Sequence, residues 1–329
     1  MNIKSALLGL LAAITVVAQA QQRILMPPFL QSGDTIAIVS PSSTPDSMTI
    51  VKGCNTLREW GYIPVVGKHV RDNWHGFAGT ADERAEDVLW ALRDNSIKAI
   101  LCSRGGDGAV QVLQRIPLQE FRQHPKWIMG FSDATALHSA QVSAGVMSIH
   151  SSMCDGISMR GQRDSVNAIL RSLLQGELPS YQVTAHPLDQ QGEAEGILVG
   201  GNLSVMCGLA GSKYDFLRRC EEGLILFLED TGESMTKVDR MLHQLEIRGI
   251  LPKLKGIIVG HFSKYKSPAN DFSDMYAMLH EYLQHYDIPV CYDFPVGHHS
   301  GLNLPLIEGC RVRLSVNQGT TLTFIQRKK

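Results

Sequence analysis

The chain has 329 residues, and its 31 basic and 32 acidic side chains give a formal net charge of −1 at neutral pH. Hydrophobic residues make up 44% of the chain and charged residues 19%, which is typical of a folded globular protein and excludes an intrinsically disordered one. No basic excess exists to neutralise a phosphate backbone, so the composition argues against nucleic acid as a partner. The length predicts roughly two domains.

The first 20 residues have the pattern of a secretory signal peptide. A single positive charge precedes an uncharged apolar run over residues 6–18, and Ala18-Gln19-Ala20 is the small-x-small pattern that signal peptidase cleaves. The run is shorter than the ~20 apolar residues of a spanning helix, so a retained membrane anchor is the less favoured alternative. We expect cleavage of this segment and a mature chain that is exported, periplasmic or secreted, without stable membrane insertion.

Short β-branched segments alternate with helical patterns over residues 21–173. Strands are predicted at Thr35–Val39, Ile63–Val66, Ala99–Cys102 and Trp127–Met129. Helices are predicted between them, one opened by Pro45 and another by a capping box of Thr80 and Glu83. This βαβ alternation predicts an α/β domain with a parallel sheet and helices on both faces.

The pattern changes near residue 174. Residues 174–191 contain Gly, Pro and several Gln residues, and they are predicted to form a linker. Residues 192–329 are predicted to form a second domain. Its strands are expected at Gly196–Val199, Leu224–Leu228 and Ile257–Val259, with a terminal hairpin over Val312–Ile325.

The segment Gly130-Phe131-Ser132-Asp133-Ala134 has the spacing of a nucleophile elbow, G-x-S-x-G, with alanine in the last position. A predicted strand enters it and a helix leaves it. Such a turn raises the Ser132 hydroxyl above the carboxyl edge of the sheet, where open α/β folds bind ligands. The free N–H groups at the start of the helix favour an oxyanion. The alternative is that Ser132 only caps the helix.

A serine nucleophile needs a base and a carboxylate that orients the base. Glu229 follows a predicted strand, and His298 lies in a loop after the apolar segment near Val290, so the chain order is Ser, Glu, His. The residues alone leave the choice of base open, because other histidines compete. They are His138, His150, His243, His261 and His299.

A glycine-rich loop over residues 105–108 follows the third predicted strand. Its spacing matches neither the dinucleotide-binding pattern nor the P-loop, which argues against a phosphate site. An open run of backbone N–H groups near a serine suits an oxyanion hole, and a plain tight turn is the alternative.

Neither a metal nor a cofactor is predicted. The chain has no H-E-x-x-H motif and no spaced Asp, His and Glu cluster, and its seven cysteines include no C-x-x-C pair. The cysteines lie mostly in apolar segments, which predicts buried thiols, and a disulfide is the alternative in an oxidising compartment.

Five motifs in this order resemble the LD-carboxypeptidase family, the serine peptidases that also include the microcin C immunity peptidases. They are Arg104-Gly105-Gly106, Gly130-Phe131-Ser132-Asp133, Gly200-Gly201-Asn202-Leu203-Ser204, Leu226-Phe227-Leu228-Glu229-Asp230 and Gly297-His298. The resemblance implies a triad of Ser132, Glu229 and His298, with oxyanion donors from the backbone of Gly106 and Asp133. It also implies an α/β N-terminal domain, a C-terminal domain with a β-rich core, a site between them, and a homodimer.

The sequence departs from the family pattern near the implied substrate site. Asp107 stands where the family often has an aromatic residue, and His150-Ser151-Ser152 stands where it often has His-Gly-Pro. The signal peptide is a third departure, because family members that act in murein recycling are generally cytoplasmic.

The resemblance implies hydrolysis of the amide bond between an L-centre diamino acid and the terminal D-alanine of murein peptides. Substrate-binding residues are expected among Arg104, Asp107 and Asn202. Arg104 is expected to brace the loop rather than to bind a carboxylate, and Asp107 is a candidate partner for an ammonium group. The alternatives are an amidase that detoxifies a peptide–nucleotide antibiotic and a non-catalytic muropeptide-binding protein.

Overall fold

The computed structural model describes residues 23–161, 164–266, 272–299 and 302–325. The predicted signal peptide, residues 1–20, lies outside the described residues. Within these ranges, no helix combines the length and apolar character needed to cross a membrane.

The described strands form two sheets. In chain order the strands are β1 (Thr35–Val39), β2 (Ile63–Val66), β3 (Ile97–Cys102), β4 (Trp127–Gly130), β5 (Ser148–His150), β6 (Ser180–Thr184), β7 (Gly192–Asn202), β8 (Leu224–Thr231), β9 (Gly256–Ser263), β10 (Val290–Cys291), β11 (Leu306–Glu308), β12 (Arg311–Val316) and β13 (Gly319–Phe324). The first sheet has the order β11-β5-β4-β3-β1-β2, and the second has the order β10-β9-β8-β7-β12-β13-β6.

Short α-helices connect these strands. They are α1 (Ser47–Glu59), α2 (Ala81–Arg93), α3 (Ala109–Leu113), α4 (Leu118–Gln123), α5 (Thr135–Ser143), α6 (Cys154–Arg160), α7 (Ser165–Leu174), α8 (Leu203–Gly208), α9 (Met235–Ile247) and α10 (Met275–Leu283). The predicted capping box is present, because the Thr80 hydroxyl accepts from the N–H of Glu83, and Glu83 Oε2 accepts from the N–H of Thr80. The first helix begins at Ser47, two residues after the predicted start at Pro45, because the Asp46 carboxylate caps it.

The first sheet is parallel from β2 to β5, as the βαβ pattern predicts. Its sixth strand, β11, comes from the C-terminal part of the chain and pairs antiparallel with β5. Apolar side chains from both sheets, among them Ile149, Leu306, Leu198 and Phe227, share one buried core. The α/β fold class is therefore confirmed, and the two sheets are joined through a common core.

The second sheet is parallel from β7 to β10 and antiparallel over β12, β13 and β6. The segment 174–191 is more than the linker predicted for it, because β6 lies within it and pairs with β13 at the edge of this sheet. Its Gly and Pro residues flank the strand instead of continuing through it. The terminal hairpin is confirmed as β12 and β13.

All seven cysteines are free thiols, and six of them are buried. Burial raises the pKa of Cys102 to about 12, which keeps this thiol protonated and unreactive at neutral pH. The prediction that the cysteines are buried thiols therefore fits the structure.

Candidate active site

Ser132 lies directly beyond the end of β4, in a short 3₁₀ turn over Ser132–Ala134 that leads into α5. Its φ of 63° places a non-glycine residue in the left-handed region, which is the strained backbone of a nucleophile elbow. Gly105 permits a close approach from the neighbouring loop, because a Cβ there would lie 2.9 Å from Ser132 Oγ. The small residues around the serine therefore let two strand-end loops meet at its hydroxyl.

Ser132, His298 and Glu229 form a continuous hydrogen-bonded chain. His298 Nδ1 donates to Glu229 Oε2 at 2.6 Å, which leaves Nε2 to accept from Ser132 Oγ at 2.9 Å. Glu229 is fully buried, whereas the side chain of His298 is 20% exposed. A buried carboxylate, an oriented imidazole and a hydroxyl within reach are the parts that a serine hydrolase requires.

The backbone of the second sheet holds the carboxylate and the imidazole in place. The strand that carries Glu229 continues past the predicted end at Leu228 to Thr231, because it pairs with both β7 and β9. Gly297 has a φ of 109°, and a Cβ at this position would lie 2.6 Å from the Cβ of Glu229. A glycine before His298 therefore lets the loop approach Glu229 closely enough for the short hydrogen bond.

The two domains meet at this site. The N–H of Asn202, at the end of β7, donates to Thr135 Oγ1 in the first turn of α5 at 3.1 Å. A Cβ on Gly201 would lie 2.6 Å from the same Thr135 oxygen. The Gly-Gly-Asn motif thus packs the end of the second sheet against the helix that follows Ser132.

The residues predicted as oxyanion donors lie on both sides of Ser132. Gly106 has a φ of 113° and an exposed backbone, and its loop follows β3 beside the serine. Asp133 is the next residue after Ser132, and its carboxylate accepts from Ser42 Oγ at 2.6 Å and from the N–H of Ala109 at 2.8 Å. Its side chain is therefore turned into the protein, which leaves only its backbone N–H to serve an oxyanion.

The charge of Glu229 sets the basicity of His298. Burial alone disfavours the imidazolium, but the hydrogen bond and the negative charge of Glu229 outweigh burial and raise the pKa of His298 above 6.5. His298 is thus a stronger base than a free imidazole, and Glu229 stabilises its charged form.

Comparison with known proteins identifies the family of this chain. The LD-carboxypeptidase N-terminal domain family matches residues 36–151, and the LD-carboxypeptidase C-terminal domain family matches residues 195–314. A Bacillus subtilis protein named as a probable murein peptide carboxypeptidase is 33% identical over 83% of this chain and 86% of its own length. The chain belongs to the LD-carboxypeptidase family.

Two further relatives show how broad this LD-carboxypeptidase family is. The crystal structure of a muramoyltetrapeptide carboxypeptidase from Oxalobacter formigenes has a TM-score of 0.79 and 25% identity, covering 90% of this chain and all of the other. The microcin C7 self-immunity protein MccF of Escherichia coli is 26% identical over 87% of this chain and 92% of its own length. This chain is therefore similar to proteins named for two different roles, muramoyltetrapeptide carboxypeptidase and microcin self-immunity.

The competing histidines have other surroundings in this LD-carboxypeptidase. His138 is buried, bonds Ser148 Oγ and the carbonyl of Gly130, and has its pKa lowered by burial to about 4. His150 is buried against Phe131 and Phe227, and burial lowers its pKa to about 3. Both are neutral parts of the interior and neither contacts Ser132 through a hydrogen bond in the structure.

The remaining three histidines lie on the second domain. His243 lies on α9 near two carboxylates, Asp239 and Glu246, as expected of a partly solvated helix residue. The rings of His261 and His299 lie 4.5 Å apart. His299 thus packs against His261, whereas its neighbour His298 bonds Ser132 and Glu229.

The three predicted substrate-binding residues differ in how far their side chains are already bonded to other residues of the chain. Asn202 is committed to local structure, because it caps α8 and its Nδ2 donates to Asp230 Oδ1 at 3.1 Å. Arg104 is exposed and donates weakly, at 3.4 Å, to the carbonyl of Thr44, which fits the bracing role. Asp107 is exposed on the glycine-rich loop.

The sequence analysis missed two serines beside the glycine-rich loop. Ser42 holds the carboxylate of Asp133, and Ser43 Oγ accepts from the N–H of Asp107 at 3.3 Å. Both lie in the loop that follows β1, whose carboxyl end lies at the same sheet edge as the ends of β3 and β4. Their position after a predicted parallel strand was the signal that could have indicated them.

One group of acidic and histidine side chains in the described residues has the spacing of metal ligands. The potential ligand atoms of His69, Asp72 and Glu83 lie within 4.8 Å of one another, a cluster that the sequence analysis did not identify. Hydrogen bonds already occupy part of it, because His69 Nδ1 bonds Asp72 Oδ2 at 2.6 Å and Glu83 completes the capping box of α2. The cluster belongs to the β2–α2 connection and not to the loops that carry the triad.

The pH dependence of activity tests the role of Glu229. Because His298 must be neutral to accept a proton, kcat/KM should fall on the acidic side, with a midpoint above pH 6.5. Glu229→Gln removes the charge that raises this pKa and leaves the burial that lowers it, so the midpoint should move to lower pH. A pH–rate profile of both proteins checks this, and an unchanged midpoint in the Gln variant would contradict it.

Proposed function

We propose that the protein is a serine LD-carboxypeptidase that hydrolyses the amide bond to the terminal D-alanine of murein tetrapeptides. The observation that supports this most strongly is the hydrogen-bonded chain of Ser132, His298 and Glu229, at 2.9 and 2.6 Å, within the LD-carboxypeptidase fold. The fold by itself does not determine the reaction. The intact triad at the carboxyl edge of the sheet is what supports the chemistry of a serine hydrolase.

The geometry supports a two-step acyl transfer. Ser132 Oγ attacks the carbonyl carbon of the L,D-amide, while His298 Nε2 takes the hydroxyl proton and Glu229 stabilises the resulting imidazolium. The carbonyl oxygen becomes an oxyanion that the N–H groups of Gly106 and Asp133 stabilise, at roughly 3 kcal/mol for each donor. His298 then protonates the departing amine of D-alanine. Water next gives a proton to His298 and attacks the acyl carbon, and the protonated His298 returns that proton to Ser132 Oγ as the ester bond breaks.

The cellular setting follows from the same proposal. The pattern of the first 20 residues supports export, so the substrate would be a murein peptide outside the cytoplasm. We expect a homodimer, with neither a metal nor a cofactor in the mechanism and no nucleic acid among its partners.

Release of D-alanine from defined muropeptides tests the proposal. Purified protein without residues 1–20 is incubated with a free tetrapeptide, a glycan-linked tetrapeptide and a tripeptide, and free D-alanine is measured. Release from a tetrapeptide and none from the tripeptide is the expected result. Because MccF is a relative, an aminoacyl sulfamoyl nucleoside is tested as a fourth substrate. Cleavage of that compound alone would favour the alternative function, an amidase that detoxifies a peptide–nucleotide antibiotic.

Asp107 provides a prediction about substrate binding. Its exposed carboxylate lies on the glycine-rich loop, where it can pair with the ammonium group at the diamino end of the substrate. Asp107→Asn should raise KM for the tetrapeptide by roughly 2–5-fold, the size expected of an exposed ion pair, with kcat nearly unchanged.

The control for Asp107 is Asp94→Asn. Asp94 is partly exposed, bonds locally to Ser96 and precedes β3 at the amino edge of the sheet, so KM should not respond to its neutralisation. If Asp107→Asn lowers kcat and leaves KM unchanged, Asp107 shapes the oxyanion loop and does not bind substrate.

A further inference from the structure

Arg84 is a buried cation that the catalytic mechanism does not use. It lies on α2 and is only 1% exposed. Its Nη1 donates to the carbonyl of Pro41 at 2.6 Å and to the carbonyl of Gly108 at 2.9 Å, and its Nη2 donates to Gln111 Oε1 at 2.7 Å. Moving a guanidinium from water into the protein interior costs free energy. A fully buried arginine is therefore expected to have a structural or functional role.

The contacts of Arg84 converge on the loops around the nucleophile. Pro41 belongs to the loop after β1, and Gly108 ends the glycine-rich loop after β3. The opposite charge that acts on the guanidinium is the carboxylate of Asp133, the residue that follows Ser132. One cation therefore bonds two strand-end loops of the first sheet and feels the charge of a carboxylate on the third.

The Gly108 end of the loop is fitted closely around the guanidinium. Gly108 has a φ of 111°, and a Cβ on it would lie 2.5 Å from Arg84 Nη1 and 2.8 Å from the Phe77 ring. The guanidinium carbon itself lies 4.9 Å from the centre of that ring, within cation–π range. The loop is thus held by a hydrogen bond, by an aromatic face and by its own left-handed turn.

Asp133 completes the link from the other side. Its carboxylate accepts from the N–H of Ala109, the residue after Gly108, and from Ser42, the residue after Pro41. Arg84 and Asp133 therefore bond the same two loops. Arg84 bonds one residue in each loop, and Asp133 bonds the residue that follows it. Gly106, one of the two proposed oxyanion donors, lies two residues before Gly108 on the same loop, and Asp133 itself carries the other.

We propose that Arg84 is a positioning residue that preorganises the oxyanion site by fixing the Gly108 end of the glycine-rich loop against Asp133. This inference rests on the proposed serine mechanism. Donors that are fixed before the reaction stabilise the oxyanion without reorganising, so their loss affects the transition state more than the bound substrate. The expected signature is a fall in kcat with KM nearly constant.

Arg84→Lys is the main test variant, because lysine retains the buried charge but is a single point donor and lacks the second nitrogen with which Arg84 bonds Gln111 while Nη1 bonds both carbonyls. We expect kcat for D-alanine release to fall by roughly 10–100-fold, less than the 10²–10³-fold cost of losing an oxyanion donor outright. KM should change by less than about threefold. Arg84→Met should have the larger effect. The matched control is Arg93→Lys, on the same helix, whose guanidinium pairs with Glu120.

Two further measurements separate positioning from a loss of structure. The rate of Ser132 phosphonylation by a simple alkyl fluorophosphonate should fall with kcat, since that reaction also develops charge on oxygen at the oxyanion site. Tetrapeptide affinity, measured by calorimetry in a Ser132→Ala background, should be unchanged by Arg84→Lys. Circular dichroism melting curves report the folded fraction at the assay temperature.

The outcomes decide the inference in either direction. Wild-type kcat and phosphonylation rate in Arg84→Lys would overturn it, as would a loss of tetrapeptide affinity equal to the loss of kcat. If Arg84→Met does not fold, the lysine variant decides. A wild-type protein that reacts with the fluorophosphonate but releases no D-alanine would contradict the proposed substrate, and the reagent would still decide the role of Arg84.

Discussion

Replacing Ser132 with alanine should lower kcat for D-alanine release by roughly 10⁴–10⁶-fold, because the members of a catalytic triad act as a unit. The hydroxyl is the only group within hydrogen-bond distance of His298 Nε2 in the described structure, at 2.9 Å. Alanine keeps the short side chain that the turn accommodates, so the melting temperature should change little. Steady-state assays of D-alanine and a thermal melt of both proteins give the answer.

Ser158→Ala is the matched control for this variant. The Ser158 hydroxyl bonds only to the carbonyl of Asp155 within α6, so its removal should leave kcat within about twofold of the wild type. Activity near the wild-type level in Ser132→Ala would remove the nucleophile assignment altogether.

The adjacent histidines 298 and 299 give the second large contrast. His298→Ala removes the base and should also lower kcat by several orders of magnitude, roughly as much as loss of the serine. His299→Ala should leave kcat within about threefold, because the His299 ring lies 4.5 Å from His261 and outside the triad. Parallel steady-state assays of the two variants measure the contrast.

The opposite pattern would contradict the site. If His299→Ala abolishes D-alanine release and His298→Ala does not, the loop after β10 has a different register from the one in the structure. Equal losses in both variants would show that the loop, and not one imidazole, is required.

The nucleophile could be predicted from the sequence because its signal is local. A strand, a sharp turn and a helix within the segment 127–143 place Ser132 at the sheet edge whatever the rest of the chain does. The partners of the serine are a different case, since Ser132 and His298 are 166 residues apart. Periodicity does not report contacts at that separation, so the residues alone left six histidines as candidates, and the family resemblance selected among them.

Elements that depend on distant pairing were missed for the same reason. β5 and β11 have three residues each, too few for a periodic pattern, and β11 joins the first sheet only through antiparallel pairing with β5. β6 lies in a segment whose Gly and Pro residues indicate a linker, and its pairing with β13 overrides that composition.

For two residues, Asn202 and Arg84, the sequence pattern does not show what the side chain contacts in the structure. The sequence predicts that Asn202 binds substrate, and the structure adds that its side chain caps α8 and bonds Asp230, so substrate binding by Asn202 stays a prediction. Arg84 lies on α2 among charged residues that would normally face solvent, yet it is buried beneath the glycine-rich loop. Sequence motifs indicate where a site is, and the packed structure decides which side chains reach it.

The most direct test of the account is the location of covalent modification by a phosphonate analogue of the tetrapeptide. The protein is treated until D-alanine release stops, digested, and mapped by mass spectrometry. We predict one phosphonyl group per chain, on Ser132, appearing in proportion to the loss of activity. Complete inactivation with the label on another residue, or full activity in protein labelled completely at Ser132, would contradict the mechanism.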